Sequence, residues 1–306
     1  MESATVTAAA AGTWKLGDLE VNRLGFGAMR LTGNGMRGNS DGAPIDRELA
    51  VGILRSAVEQ GVNHIDTAAF YFSPLRSANE LINRALAPYP DDLVIVTKVG
   101  PGRDPSGEWL PMAGPEQLRG QVEENLRQLG RDHLDVVNLR WTGGVSIAEH
   151  FGALAELREA GLIRHLGLSD VTPEHLAEAQ TIAPVVCVQN AYGLDRRLAD
   201  ANGLLDSCRR QDIAFVPFFA ISGQRREAPA DASRDDDPLH EVARAQGATP
   251  AQVRLAWTLH RGPNVLAIPG TSDPAHLAEN IAAGALRLSQ ADLDRLEALT
   301  PPCPVT

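Results

Sequence analysis

Cysteine is scarce in this 306-residue chain, which holds only Cys187, Cys208 and Cys303. An odd, sparse count excludes a disulfide framework and suits a reducing compartment, so we expect a cytoplasmic protein. Basic charge is also short. Lys and Arg number 28 against 39 Asp and Glu, a formal net charge of −11. Such a surface repels phosphate backbones, and we expect no nucleic-acid partner. No apolar run approaches the roughly 18 residues of a membrane span, so no membrane association is expected either. The first twelve residues have no basic flank, and their alanines are too weakly apolar for a secretory leader. We read residues 1–12 as a frayed tail. A nucleotide fingerprint is missing too: Gly25-Phe26-Gly27 lacks its third glycine because Arg30 stands there, and no Walker-type loop exists.

What the chain does have is alternation. Short apolar runs lie at 23–27, 62–65, 93–96, 134–139, 165–168, 185–188, 213–218 and 265–268. Several are apolar at consecutive positions, the pattern of parallel strands buried on both faces. Segments of helical period lie between them. Leu118, Val122, Leu126 and Leu129 share one face and Gly130 follows; Ile147, Phe151, Leu154 and Leu157 are closed by Gly161; Ala50, Leu54 and Val58 by Gly61. Thr172-Pro173 has the form of an N-cap with proline at the first helical position. Eight strand–helix units with right-handed crossovers close into a (β/α)8 TIM barrel. We therefore expect α/β architecture, a single domain over 13–306, and an N-terminal β-hairpin turning at Gly17-Asp18. Three long irregular stretches, 32–45, 100–114 and 222–238, follow the first, third and seventh strands, so all emerge on the C-terminal face.

In a parallel barrel, reactive groups collect at the C-terminal ends of the strands. Those ends carry Asp66 with Tyr71 five residues on, then Lys98, Arg140, Ser169 with Asp170, Gln189 with Asn190, and Phe218. A tyrosine, a lysine and a carboxylate in one site have a coherent use. A phenol with a reference pKa near 10 is a poor proton donor at neutral pH; a neighbouring ammonium lowers that pKa, and a carboxylate keeps the ammonium charged. The product is a general acid suited to an alkoxide formed when hydride adds to a carbonyl. Taken alone, Lys98 reads as a surface charge and Asp66 as a helix cap through Thr67; Tyr192 lacks the spacing to Asp66 that Tyr71 has. His64 reads as a core histidine with its hydrogen bonds satisfied. The remaining histidines lack ligand spacing, so no metal site is expected. Trp109 either lines a substrate pocket or covers the core. Arg225-Arg226 either clasps a pyrophosphate or is solvated.

On these residues the chain resembles the aldo/keto reductases, over about 13–299. The motifs that carry the resemblance are Leu24-Gly25-Phe26-Gly27-Ala28-Met29, Asp66-Thr67-Ala68 with Tyr71, Thr97-Lys98, Gly167-Leu168-Ser169, Gln189-Asn190, and Ile268-Pro269-Gly270-Thr271 through Glu279-Asn280. Asp135-Val136-Val137-Asn138-Leu139-Arg140, Val186-Cys187-Val188-Gln189-Asn190 and Ser272 add a likeness to the bacterial pyridoxal reductase group. The resemblance implies a TIM barrel that binds NADPH/NADP+ without a Rossmann motif and reduces a small-molecule carbonyl substrate, with pyridoxal first among the candidates. It implies a catalytic set of Asp66, Tyr71 and Lys98, with Arg140 where the family has histidine. It implies cofactor contacts from Gly27, Met29, Ser169, Asp170, Gln189, Phe218, Gly270, Thr271, Ser272, His276, Glu279 and Asn280, and substrate contacts from Trp109 and Trp141. Asp170 stands in place of an asparagine, Phe218 of a stacking tyrosine, and Gly270 and His276 of a Lys and Arg that hold the 2′-phosphate. Thr271, Ser272 and the N–H groups of the following helix start are left to hold that phosphate. Two rivals share the fold: a reductase of another ring-bearing aldehyde or ketone in secondary metabolism, and a non-catalytic NADP(H)-binding redox sensor. The intact Asp66, Tyr71 and Lys98 speak for catalysis.

Overall fold

A computed structural model describes residues 6–33, 45–221 and 237–299. Thr13–Leu16 (β1) and Leu19–Asn22 (β2) form the expected antiparallel hairpin. The chain then runs through Phe26–Gly27 (β3), Arg47–Glu59 (α1) and His64–Asp66 (β4) to a small ribbon of Phe72–Ser73 (β5) and Arg76–Ser77 (β6). Ala78–Leu86 (α2) and Val94–Val99 (β7) lead to a second ribbon, Pro101–Arg103 (β8) with Trp109–Met112 (β9). Regular alternation follows: Pro115–Leu129 (α3), Leu134–Arg140 (β10), Ala148–Glu159 (α4), Ile163–Ser169 (β11), Pro173–Gln180 (α5) and Val185–Gln189 (β12). After Leu198–Ala201 (α6), Leu204–Arg210 (α7) and Ala214–Phe215 (β13) come Pro238–Gln246 (α8), Pro250–His260 (α9), Pro274–Ala282 (α10) and Gln290–Glu297 (α11).

Seven parallel strands form one sheet in the order β13-β12-β11-β10-β7-β4-β3. The segment expected as an eighth strand joins the two edges. Val265 bridges Phe215 on one side and Ala267 bridges Leu24 on the other. Leu266 N–H donates to Phe215 O at 2.9 Å and Ala267 N–H to Arg23 O at 2.8 Å. The barrel therefore closes, but through single bridges instead of a ladder. The seventh strand is likewise shorter than its apolar run, because Pro217 has no N–H to pair.

The helix ends fall where the stop residues place them. Gly130 caps α3 at φ 64°, and Thr172 accepts from the His175 N–H to start α5. Inside the barrel, Val94, Val96, Val136, Cys187, Ala214, Val216 and Leu266 pack together, and Leu16 and Val21 of the hairpin seal the floor. Two expectations need correction. The stretch 100–114 is not irregular: Asp104 accepts from the Ser106 and Glu108 N–H groups and turns the chain, so β8 and β9 pair. The tail is not frayed where it is described. Ala8–Ala11 form a 3-10 turn with Ala8 and Ala11 buried, held by Ala8 N–H to Gln60 O at 2.9 Å and Arg287 Nη2 to Ala10 O at 2.8 Å. Ala11 packs against Gly284, where an added Cβ would sit 3.2 Å from the Ala11 Cβ. Residues 1–5 lie outside the described residues.

Candidate active site

On a strand, every second side chain faces the same way. Val94 and Val96 point into the barrel, so Lys98 does also, one layer above them. His64 and Asp66 on β4 share that inward face. The Lys98 ammonium donates to Asp66 Oδ2 at 2.6 Å and to the Thr67 carbonyl at 3.0 Å. The two side chains are 1% and 6% exposed. Tyr71 follows on a turn fixed by its N–H to Ala68 O and by the Ala78 N–H to its own carbonyl, both 2.9 Å. Its ring centre lies 4.9 Å from Lys98 Nζ. Lys98 is one of only two lysines in the chain; the other, Lys15 of β1, is exposed.

The charges behave partly as expected. Burial alone would push the Lys98 ammonium down, but Asp66 and Tyr71 reverse this and hold it above its ordinary value. For Tyr71, burial raises the phenol pKa, and Lys98 offsets only part of that rise. The expected net lowering is therefore corrected: desolvation of the phenolate outweighs the neighbouring cation, and Tyr71 stays protonated throughout the neutral range.

Asp66 has a second donor. Gln189 Nε2 gives it a hydrogen bond at 3.0 Å, Asn138 Nδ2 donates to Gln189 Oε1 at 3.0 Å, and the Cys187 thiol donates to Asn138 Oδ1 at 3.1 Å. This buried file fits only because β11 has Gly167, where a Cβ would sit 2.0 Å from Asn138 Oδ1. A second buried set lies behind the strand ends. Thr67 donates to Asn79, Asn79 donates to Asn125, and Thr97 donates to Asn125. The neighbours of Asp66 and Lys98 are thereby tied to α2 and α3.

Arg140 stands across the site. Its Nη2 lies 3.1 Å from Asp170 Oδ2, with the two side chains 22% and 38% exposed, and its guanidinium is 5.8 Å from the Phe218 ring centre. Asp170 has a left-handed backbone, φ 62°, as does Phe219 at 66°. Non-glycine residues held there gather at functional rims.

Comparison with known proteins agrees with this geometry. Residues 23–301 match the aldo/keto reductase family. The chain belongs to that family. It is 47% identical over 295 residues to pyridoxine 4-dehydrogenase of Escherichia coli, covering 94% of this chain and 98% of that one. A thermostable aldo-keto reductase solved with the inhibitor epalrestat superposes with a TM-score of 0.78 at 30% identity, over 94% of this chain and 99% of the other. An aldo-keto reductase of Klebsiella pneumoniae solved with NADPH gives 0.76 at 27% identity, over 94% and 93%. The protein is an NAD(P)H-dependent oxidoreductase acting on carbonyl groups.

In this aldo/keto reductase a cavity of about 530 Å³ opens above the barrel. Asp66, Tyr71, Lys98, Arg140, Gly27, Met29, Gln189, Phe218, Gly270, Thr271, His276, Glu279 and Asn280 all line it. His276, Glu279 and Asn280 do so from one face of α10, at i, i+3 and i+4. The rest of the expected set does not line it. Trp141 turns away, its N–H donating to Gly144 O at 2.9 Å and its ring edge-on to His150 and His175. Trp109 lies on β9, 43% exposed and 5.5 Å from the Phe70 ring. Ser169, Asp170 and Ser272 also stand outside its lining, and Asp170 pairs with Arg140.

At the start of α10, where the phosphate was expected, two N–H groups already have partners. Asp273 N–H donates to Thr271 Oγ1 and Ala275 N–H to Asp273 Oδ1, so the helix is self-capped and carries a carboxylate. Sequence reading missed Thr249, Pro250 and Ala251, which line the cavity at the start of α9. Their signal was a capping box between Thr249 and Gln252. His64 is also not as expected: it is 1% exposed, and neither ring nitrogen has a hydrogen-bond partner among the described residues. Arg225 and Arg226 lie outside the described residues.

Proposed function

We propose that the protein interconverts pyridoxal and its alcohol with NADPH/NADP+, and that Tyr71 moves the proton. The observation that carries this reading is the buried Asp66–Lys98 pair beside Tyr71 at the wall of a cavity of about 530 Å³. The name of the Escherichia coli relative supports the substrate. The residues also fit the cofactor. The Ser169 hydroxyl is fully buried with no hydrogen-bond partner among the described residues, as a group awaiting a carboxamide would be. Phe218 offers a ring face, and His276 reaches the cavity from α10. When bound, the cofactor supplies hydride to the carbonyl carbon.

The chain's own residues do the rest. Tyr71 donates its phenolic proton to the oxygen that becomes the alcohol. Lys98, held charged by Asp66, stabilises the phenolate left behind. In the direction of alcohol oxidation the same phenolate accepts the proton. Arg140 offers donors to an acceptor oxygen beside the carbonyl, and the ring hydroxyl of pyridoxal, ortho to its aldehyde, is such an oxygen. The buried thiols of Cys187 and Cys208 are free, in keeping with the reducing cytoplasm that belongs to this reading, as does a single domain over 13–306. The test is NADPH consumption over a panel of aldehydes and ketones including pyridoxal. Pyridoxal should give the highest kcat/KM; a higher value for an aldehyde without the ortho hydroxyl would move the assignment to another ring-bearing carbonyl. Cofactor binding without turnover on any activated aldehyde would make the protein a sensor.

A further inference from the structure

Arg140 and Asp170 are the two places where the site departs from the family's histidine and asparagine, and they are each other's partners, 3.1 Å apart. We propose that Asp170 is a positioning residue that sets the charge tolerated beside the reacting carbonyl: by pairing with Arg140 it admits a substrate with a single acceptor oxygen and rejects one with a full carboxylate there. The inference rests on the carbonyl-reductase reading above and adds a selectivity rule to it.

Three observations support it. Arg140 lines the cavity and Asp170 does not, so the carboxylate reaches the substrate only through the guanidinium. The backbone fixes the carboxylate's position. Asp170 N–H donates to Gln189 O at 3.1 Å, and Val171 N–H donates to Asn190 Oδ1 at 3.1 Å. Asn190 Nδ2 returns a bond to Val171 O at 2.7 Å. These bonds hold the left-handed φ that aims Asp170 at Arg140. Third, Lys98, the buried cation among the cavity-lining residues, is already neutralised by Asp66.

The chemistry follows from the geometry of the guanidinium. A free one takes a carboxylate through two parallel N–H bonds. With one Nη engaged by Asp170, the remaining donors still serve a phenolic oxygen. A second carboxylate would meet both a partly occupied fork and a like charge.

The test compares 2-carboxybenzaldehyde with benzaldehyde, using saturating NADPH, on the wild type, Asp170→Asn, Arg140→Gln and the double variant. Asp170→Asn should raise the kcat/KM ratio of the carboxylated to the plain aldehyde by roughly tenfold, through KM, and Arg140→Gln should cancel the gain in the double variant. Calorimetry of benzoate on the NADP+-loaded enzyme gives a second reading: benzoate should bind more tightly to Asp170→Asn by a similar factor. An unchanged ratio with NADPH affinity lost tenfold or more would overturn the proposal and return Asp170 to the cofactor. An unchanged ratio with unchanged benzoate affinity would overturn it as well. If the wild type reduces neither aldehyde, benzoate binding decides the charge rule, and the reductase reading is judged separately on the carbonyl panel: no turnover there, pyridoxal included, would overturn that reading and not this one.

Discussion

Two ion pairs border the same cavity, one with both partners in its lining and one through Arg140 alone, and they differ chiefly in their access to water. Lys98 and Asp66 are 1% and 6% exposed; Arg140 and Asp170 are 22% and 38% exposed. The first pair lies where neither charge survives alone, so each partner is required to keep the other ionised. The second lies where solvent screens both, so its energy is small and its partner exchangeable. Burial thus divides the labour. The inner pair fixes a protonation state, and the outer pair leaves a donor fork that an incoming ligand can engage.

Breaking the inner pair should do most harm. Lys98→Met leaves Asp66 with the Gln189 amide and no counter-charge. Loss of about 3–5 kcal/mol of stability is expected in urea denaturation, together with a kcat fall of at least about 10²-fold. Tyr71→Phe tests the pair's purpose without disturbing it. kcat should drop roughly 10²–10⁴-fold while NADPH affinity stays within a few-fold; near-normal kcat would remove Tyr71 from proton transfer.

A buried base with no charged partner among the described residues sharpens the contrast. His64, one layer below Asp66, is pushed down by burial to about 4. Above its ordinary value near 6.5 it is neutral folded or unfolded, and stability is unaffected. As pH falls from 6.5 toward 4 only the unfolded chain takes up the proton, and about 3 kcal/mol of stability is lost. His64→Leu should flatten that acid limb in denaturation midpoints; an unchanged slope would place the cause elsewhere.

The outer pair should show the smallest effects. Arg140→His should lose roughly 1–3 kcal/mol of kcat/KM for an ortho-hydroxy aldehyde and less for the same aldehyde without the hydroxyl. Asp170→Asn should shift global stability by no more than about 1 kcal/mol, measured by thermal melting.

Most of the fold was legible because period and punctuation agree: β7 and β12 follow the unbroken apolar runs 93–96 and 185–188, and Gly130 and Thr172 mark helix ends. It was less legible where backbone chemistry cuts across side-chain pattern. Pro217 shortens a strand whose apolar run continues, and Asp104 makes a turn inside a stretch that reads as loop. In the site, positions at strand ends were recoverable, since alternation turns Asp66 and Lys98 inward on neighbouring strands, Asp66 in register with Val96, two residues before Lys98. Partner choice was not. Gln189 bonds Asp66, and Arg140 bonds Asp170, because Arg140 and Ser169 sit in register on neighbouring strands. Opposite charges at adjacent strand ends were the available signal. Trp141 was misplaced because an aromatic next to a site residue has two faces of the strand to choose from.

The shortage of lysine has a chemical consequence for an enzyme that handles aldehydes. Of 28 cationic side chains, 26 are arginine. Aldehydes condense with primary amines to give imines, and a protonated guanidinium offers no lone pair for that reaction. Apart from the chain's own N-terminus, Lys15 is the sole exposed amine with which an aldehyde can form an adduct. The other amine, Lys98, stands inside the pocket where substrate concentration is highest. Asp66 keeps it an ammonium, and an ammonium is no nucleophile. In the proposed mechanism, the carboxylate that supports proton transfer thereby also protects the enzyme from covalent capture by its own substrate.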